Sequence, residues 1–106
     1  MTQRAYTLNM RILTTKTLRE YWTKHPNAKA PLTEWVTLVK AQKWTGPQDI
    51  ANIFSSADFL ANNRVIFNIG GNNHRLIVKI EYRLGMIFIL FVGTHAEYDK
   101  IDASKL

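Results

Sequence analysis

Arg64-Val65-Ile66-Phe67-Asn68-Ile69, Gly70-Gly71-Asn72-Asn73 and His74-Arg75-Leu76-Ile77-Val78-Lys79-Ile80-Glu81-Tyr82 form the stretch that decides the fold. Apolar side chains recur at every second position on both sides of the glycine pair, which is the period of a strand with one buried face. Gly-Gly-Asn-Asn supplies residues that tolerate positive φ in a tight turn. The pattern predicts a β-hairpin. An even loop pairs Ile69 with His74, Asn68 with Arg75 and Arg64 with Lys79. Val65, Phe67, Ile69, Leu76, Val78 and Ile80 then share a face to be covered by helices. Arg64, Ile66, Asn68, Arg75, Ile77, Lys79 and Glu81 share the other, expected to be open. Like charges directly opposite repel, so Arg64 and Lys79 either splay into water, aided by Glu81, or wall a cationic groove that an incoming phosphate relieves.

Outward from the hairpin, Arg83-Leu84-Gly85 reads as a second tight turn. Met86-Ile87-Phe88-Ile89-Leu90-Phe91-Val92 is apolar on both faces and is expected to be a buried strand within the sheet. On the other side the period changes. Leu18, Tyr21, Trp22 and His25 recur at i, i+3, i+4, i+7, predicting a helix that runs to about Lys24 and stops before Pro26. Thr17-Leu18-Arg19-Glu20 has capping-box spacing, with a start one turn earlier also open. Leu32, Trp35, Val36 and Val39 repeat the spacing from about Pro31 to Lys43. Pro47 suits the first position of a third short helix, through about Phe54. Arg11-Ile12-Leu13-Thr14 is expected to be a first strand. Met10 is a possible translation start, which makes residues 1–9 an optional N-terminal extension of a single domain, 10–106. The class is α+β: an N-terminal strand and a helical hairpin packed on an antiparallel sheet. Trp22, Trp35 and Trp44 lie in or beside the helical hairpin and are expected in its packing.

The chain has 106 residues and 46% apolar side chains, enough for one modest core. It has no cysteine, so thiolate metal sites, disulfides and a cysteine nucleophile are excluded. His25, His74 and His95 never fall at i, i+4, and no metal or other cofactor is expected. With neither an apolar leader nor a run near twenty apolar residues, the expected setting is the cytoplasm, away from membranes. Net charge is +6. Residues 1–45 carry eight basic side chains against two acidic ones, whereas 46–106 carry six of each. That asymmetry points to a polyanionic partner or, more blandly, to a solvated basic face.

Gly93-Thr94-His95-Ala96-Glu97-Tyr98-Asp99-Lys100 follows the apolar strand. A strand end that delivers His, Tyr and carboxylates beside a basic sheet face makes phosphodiester cleavage chemically feasible. Histidine exchanges protons near neutrality, and arginine grips phosphate through two N–H groups. With an RNA 2′-hydroxyl as nucleophile no metal is required. The alternative is that His95 merely caps the strand end or the following turn.

These residues resemble a family. Arg64 to Tyr82, with Val92-Gly-Thr-His-Ala-Glu-Tyr-Asp-Lys100, is similar to the HigB toxins of bacterial toxin–antitoxin pairs, within the RelE/ParE superfamily. Leu18-Arg-Glu-Tyr-Trp22, His25-Pro26 and Asn62-Asn-Arg-Val-Ile-Phe-Asn-Ile69 extend the likeness over roughly residues 10–102. Gly-Thr-His-Ala-Glu-Tyr-Asp is its most specific part. The resemblance implies a RelE-like fold and a toxin that cuts mRNA on the ribosome as a translation-dependent endoribonuclease. It also implies a HigA-like helix-turn-helix antitoxin that silences the toxin in a hetero-oligomer.

Residue by residue, the resemblance assigns contact with the scissile phosphate to Arg75 and proton transfer to His95. Tyr98 either stacks on a base or assists the proton transfer. Arg64, Asn68 and Lys79 would hold the RNA strand, while Lys16, Arg19 and Lys24 would contact ribosomal RNA. RelE-type members often carry a lysine or second arginine where this chain has Asn68. Either Arg64 replaces that group or the site is electrostatically weaker. Two other functions stay open: a ParE-like inhibitor of DNA gyrase, and a basic nucleic-acid-binding module without activity.

Overall fold

The computed structural model describes residues 9–106; the expected N-terminal extension therefore lies, except for Asn9, outside the described residues. The hairpin forms in the anticipated register, with Ile69 opposite His74, Asn68 opposite Arg75 and Arg64 opposite Lys79. Its strands are β3 (Arg64–Ile69) and β4 (His74–Glu81). Gly70 and Gly71 turn the chain at φ 63° and 68°, a region in which a Cβ would be strained. The apolar strand β5 (Met86–Thr94) pairs antiparallel with β4.

Two features of the sheet depart from expectation. β1 (Arg11–Leu13) belongs to the sheet, running parallel to β5, so the sheet is mixed. A short strand β2 (Asp58–Leu60) pairs with β3, giving the order β1-β5-β4-β3-β2. Three residues without alternation give no periodic signal. It is the turn at Asn62 and Asn63, both at positive φ, that folds β2 back onto β3.

The helical layer follows the apolar stripes. α1 spans Thr15–Lys24 and stops before Pro26. It begins before Thr17, from a Thr14 at φ 65° whose hydroxyl does not cap the helix, so the capping-box spacing at Thr17 falls inside the first turn. A 3₁₀ turn (Pro26–Ala28) leads to α2 (Lys29–Lys40). α2 ends three residues short of the expected Lys43, because Gln42 turns its carbonyl to the Met10 N–H at 2.8 Å and Trp44 enters the core. α3 (Pro47–Ala51) has proline at its start and ends before Phe54. No helix among the described residues is long and apolar enough to cross a membrane.

Leu18, Leu32, Trp35 and Val39 of the helices bury against Val65, Phe67, Ile69, Leu76, Val78 and Ile80 of the sheet. Of the three tryptophans, Trp35 and Trp44 are fully buried and Trp22 is half-buried against this core. The reverse face is not open. Ile66, Ile77 and Ala103 form a second cluster, flanked by Leu90, Phe91, Tyr98, Ile101 and Leu106. The segment after β5 folds back over the hairpin to make it.

A register shift creates this second layer. Ile77 pairs with Phe91 but Val78 with Ile89, leaving Leu90 without a partner. One extra residue reverses which side chains face which way. Ile89 and Val92 therefore serve the main core, while Leu90 and Phe91 serve the reverse cluster. Double-sided apolarity in β5 thus reports two covered faces and a bulge between them.

Candidate active site

Arg75 stands at the hairpin end of β4 on the reverse face, directly across from Gly93 of β5 and Asn68 of β3. It was expected on an open face, yet it is only 9% exposed. The folded-back C-terminal segment and the loop Gly70–Asn73 account for the difference. Arg75 Nη2 donates to Asn72 Oδ1 at 2.7 Å, and Nη1 donates to the carbonyls of His74 at 3.2 Å and Asn72 at 3.4 Å. The guanidinium also lies 5.7 Å from the centroid of the Tyr98 ring, within cation–π range. No carboxylate pairs with it among the described residues. Arg75 is therefore a positive charge held in place by neutral oxygens, which leaves it free to attract an anion.

The next strand brings up the remaining chemistry. Gly93 and Thr94 complete β5. A Cβ on Gly93 would sit 2.5 Å from Phe91 Cζ and 2.9 Å from Glu97 Oε1, so only glycine lets these groups close over the strand beside Arg75. Thr94 then caps α4 (His95–Tyr98). Its hydroxyl accepts from the Glu97 N–H at 3.1 Å while Glu97 Oε1 accepts from the Thr94 N–H at 2.8 Å. The Thr94 N–H holds the Glu97 carboxyl below the usual carboxylate range. This box fixes the turn that carries both His95 and Tyr98.

The His95 N–H donates to the Asn73 carbonyl at 3.1 Å, tying the start of α4 to the loop that cages Arg75. The His95 side chain is 43% exposed, and its Nδ1 meets Asp99 Oδ2 at 3.0 Å. A carboxylate on one ring nitrogen orients the imidazole and leaves the other for substrate, the arrangement common to histidine bases. The sequence expectation placed the His95 ring beside Arg75. In the structure, Tyr98 covers Arg75, whereas the His95 ring is turned onto Asp99.

The other basic residues of the hairpin stand apart. Lys79 is four residues from Arg75 along β4, about 13 Å at strand rise, and pairs with Glu81 at 3.4 Å. Arg64 is drawn to the C-terminal segment: its Nε donates to the Leu106 main-chain oxygen at 2.7 Å, with Nη2 on the same atom, and Nη1 donates to Asn62 at 3.2 Å. Facing cations thus splay, each onto its own oxygen. Between them and Arg75 lie Ile66 and Ile77 under the second apolar cluster, so no continuous cationic groove runs along the hairpin. On α1, Lys16 pairs with Glu20 at 3.7 Å, Arg19 donates to Thr15 at 3.1 Å, and Lys24 is exposed.

A third arrangement backs the site from the helical side. Tyr21 stacks on His25 at 4.4 Å, and its hydroxyl lies 2.7 Å from His74 Nδ1. Burial pushes the Tyr21 phenol up to about 12, with Glu97 adding to it, while burial and then His25 push His74 below the usual histidine value. Both groups are neutral at pH 7, so Tyr21 donates to His74. The bond anchors α1 to the residue whose carbonyl holds Arg75.

Sequence reasoning missed Asn72, Gly93 and Asp99. Asn72 was visible only as turn chemistry and Gly93 only as part of the run that follows the apolar strand. Asp99 stands four residues after His95, which is one helical turn and a usable signal.

Residues 28–101 match a protein family described as HigB toxin, the RelE-like toxic component of a toxin–antitoxin system. The mRNA interferase HigB of Escherichia coli O6:H1 is 29% identical over 94 residues, covering 87% of this chain and 91% of that protein. The mRNA interferase toxin HigB of Escherichia coli K12 is 27% identical over 96 residues, covering 89% and 92%. The mRNA interferase HigB of Shigella flexneri aligns to the same extent, also at 27%.

Proposed function

Because the chain belongs to the HigB toxin family, the RelE-like toxic components of toxin–antitoxin systems, we propose that it acts as a metal-independent endoribonuclease on mRNA engaged by the ribosome. It is the toxin of a type II pair, and its relatives named mRNA interferase align over nearly its whole length. They favour mRNA cleavage over the gyrase-inhibitor and bare-binding alternatives. The observation that carries the site assignment is the caged, carboxylate-free Arg75 under Tyr98, tied through the Asn73–His95 bond to a carboxylate-oriented histidine.

In this reading the 2′-hydroxyl of the RNA loses its proton to a base and attacks the adjacent phosphorus. The P–O5′ bond breaks, and the leaving 5′-oxygen takes a proton from an acid. Arg75 faces the charge that builds on the non-bridging oxygens, where a preorganised donor acts most strongly. His95, oriented by Asp99, exchanges the proton at its free ring nitrogen. Tyr98 holds Arg75 from one side and offers an aromatic surface to a base. Asn68, opposite Arg75, contacts the strand near the cut; Arg64 and Lys79 hold it farther along the hairpin. Lys16, Arg19 and Lys24 contact ribosomal RNA. The chain works in the cytoplasm and is neutralised by a HigA-like helix-turn-helix antitoxin. Mapping mRNA ends after adding purified protein to a reconstituted translation system tests this reading: new internal ends that appear only with ribosomes support it, and intact mRNA contradicts it.

A further inference from the structure

Alternation places His74 with Leu76, Val78 and Ile80 on the face of β4 that the helices cover. It is 3% exposed, a polar ring in an otherwise apolar stripe. Burying an imidazole costs desolvation that a leucine there would not. Among the described residues the ring has one hydrogen-bond partner, the Tyr21 hydroxyl at 2.7 Å from Nδ1, and its Nε2 is buried without any. Packing alone therefore gives no reason for a histidine at this position. The main chain on either side of it does. The Asn73 carbonyl accepts from the His95 N–H at 3.1 Å, and the His74 carbonyl accepts from Arg75 Nη1 at 3.2 Å. The two peptide units that flank the His74 Cα thus carry the tether of α4 and one arm of the Arg75 cage. Across the sheet, His74 pairs with Thr94, the cap of α4.

We propose that Tyr21 is a positioning residue for the cleavage chemistry, aiming Arg75 from the opposite face of the sheet through His74. Its effect on rate rests on the nuclease reading; its effect on the guanidinium rests on geometry alone. Ladder hydrogen bonds fix β4 within the plane of the sheet, whereas the Tyr21 bond holds the same strand from the perpendicular direction. Tyr21 is itself held, buried in the core and stacked on His25 with 4.4 Å between centroids and 27° between planes. A hydroxyl fixed in this way sets the His74 side chain, and with it the rotation of the two peptide units from which Arg75 and the start of α4 are held. Without it the strand end keeps its pairing but loses the constraint on where the His74 carbonyl points.

The test compares Tyr21→Phe with Tyr21→Phe/His74→Leu in the full chain. The single variant keeps the ring stacked on His25 but strands His74 Nδ1 without its donor, which lowers stability. The double variant removes both partners, strands nothing, and is expected to melt near the wild type. In single-turnover cleavage on programmed ribosomes both should lose about tenfold or more in rate with ribosome affinity unchanged. Neither should slow Arg75→Lys further, because the group being aimed is gone. Nitrogen-15 spectra of the free protein read the guanidinium without cleavage: hydrogen bonds slow rotation about its Cζ–Nη bonds, so the wild type should show separate Nη signals and both variants averaged ones. If Tyr21→Phe does not fold, the double variant carries both readouts. A double variant that melts and cuts like the wild type overturns the proposal, as do Nη signals unchanged in the variants. A wild-type protein that fails to cut mRNA would instead overturn the nuclease reading, while the spectra still decide whether Tyr21 aims Arg75.

Discussion

Arg75 Nη2 reaches back three residues to Asn72 Oδ1 at 2.7 Å, so the hairpin loop itself supplies the clamp that aims the guanidinium. The main-chain oxygens of Asn72 and His74 complete the cage without bringing a negative charge to it. An arginine paired with a carboxylate would have to surrender that partner to bind phosphate. This one surrenders at most a neutral amide, and its orientation is set before substrate arrives.

Asn72 is thus expected to act through Arg75. Asn72→Ala should lower kcat for mRNA cleavage by about tenfold or more, with KM nearly unchanged, since a misaimed group loses rate before binding. Asn72→Asp restores an oxygen at the same point but adds a negative charge beside Arg75, so it should recover aim and still cut more slowly than wild type. A change confined to KM would return Asn72 to turn chemistry alone.

His95→Gln keeps a polar side chain but cannot titrate, and it should slow single-turnover cleavage by about 10²–10⁴-fold with little change in ribosome affinity. Asp99→Asn should cost less, because the ring keeps a partner but loses the carboxylate that steadies its charged form. Comparing pH–rate profiles checks both. Wild-type and His95→Gln profiles of the same shape would show that His95 only begins α4.

Gly93→Ala places a methyl 2.5 Å from Phe91 Cζ and 2.9 Å from Glu97 Oε1. Relief requires displacing a ring of the second cluster or the carboxylate of the Thr94–Glu97 box. Overpacking of this kind costs about 1–3 kcal/mol, and chemical denaturation reads it directly. Cleavage should fall further than stability alone accounts for, because the same box positions His95 and Tyr98.

The hairpin was legible because its period and its glycine pair follow from local chemistry, and pairings as specific as Asn68 with Arg75 came out of alternation given an even loop, which the structure has. The helical stripes were equally legible, to within three residues at the end of α2. β2 was not, because three residues have no period. The reverse face was misread for a non-local reason: nothing in alternation tells that residues 98–106 will fold back and cover Ile66 and Ile77. The burial of Arg75 and the occupation of Arg64 by the Leu106 main chain are two results of that one event. At the site, residue types were readable and partners were not: Asp99 could be found by helical spacing, whereas the Asn72 clamp appears only once the loop is folded.

His74 and Tyr21 make stability depend on pH at both ends. The folded-state pKa of His74 lies below its ordinary 6.5, so the folded protein binds fewer protons there than the unfolded chain. This contribution is complete above pH 6.5 and is lost as pH falls through the folded value. Tyr21, raised from 10.0 to about 12, is the alkaline counterpart: its contribution is present below pH 10.0 and lost as pH rises through about 12. His74→Gln should still accept the Tyr21 hydroxyl while flattening the fall of the melting temperature on the acid side of pH 6.5. An unchanged acid slope in that variant would place the pH dependence elsewhere.

Single-turnover cleavage of mRNA on programmed ribosomes, wild type against Arg75→Lys, tests the central claim most directly. Lysine keeps the charge but cannot span Asn72 Oδ1 and the two carbonyls while facing a phosphate. Because Arg75 is buried, circular dichroism and a melting curve first establish that the variant is folded. The account predicts a loss of about 10²-fold or more in the cleavage step, with antitoxin affinity retained. A folded Arg75→Lys protein that cuts within about threefold of the wild-type rate would contradict it.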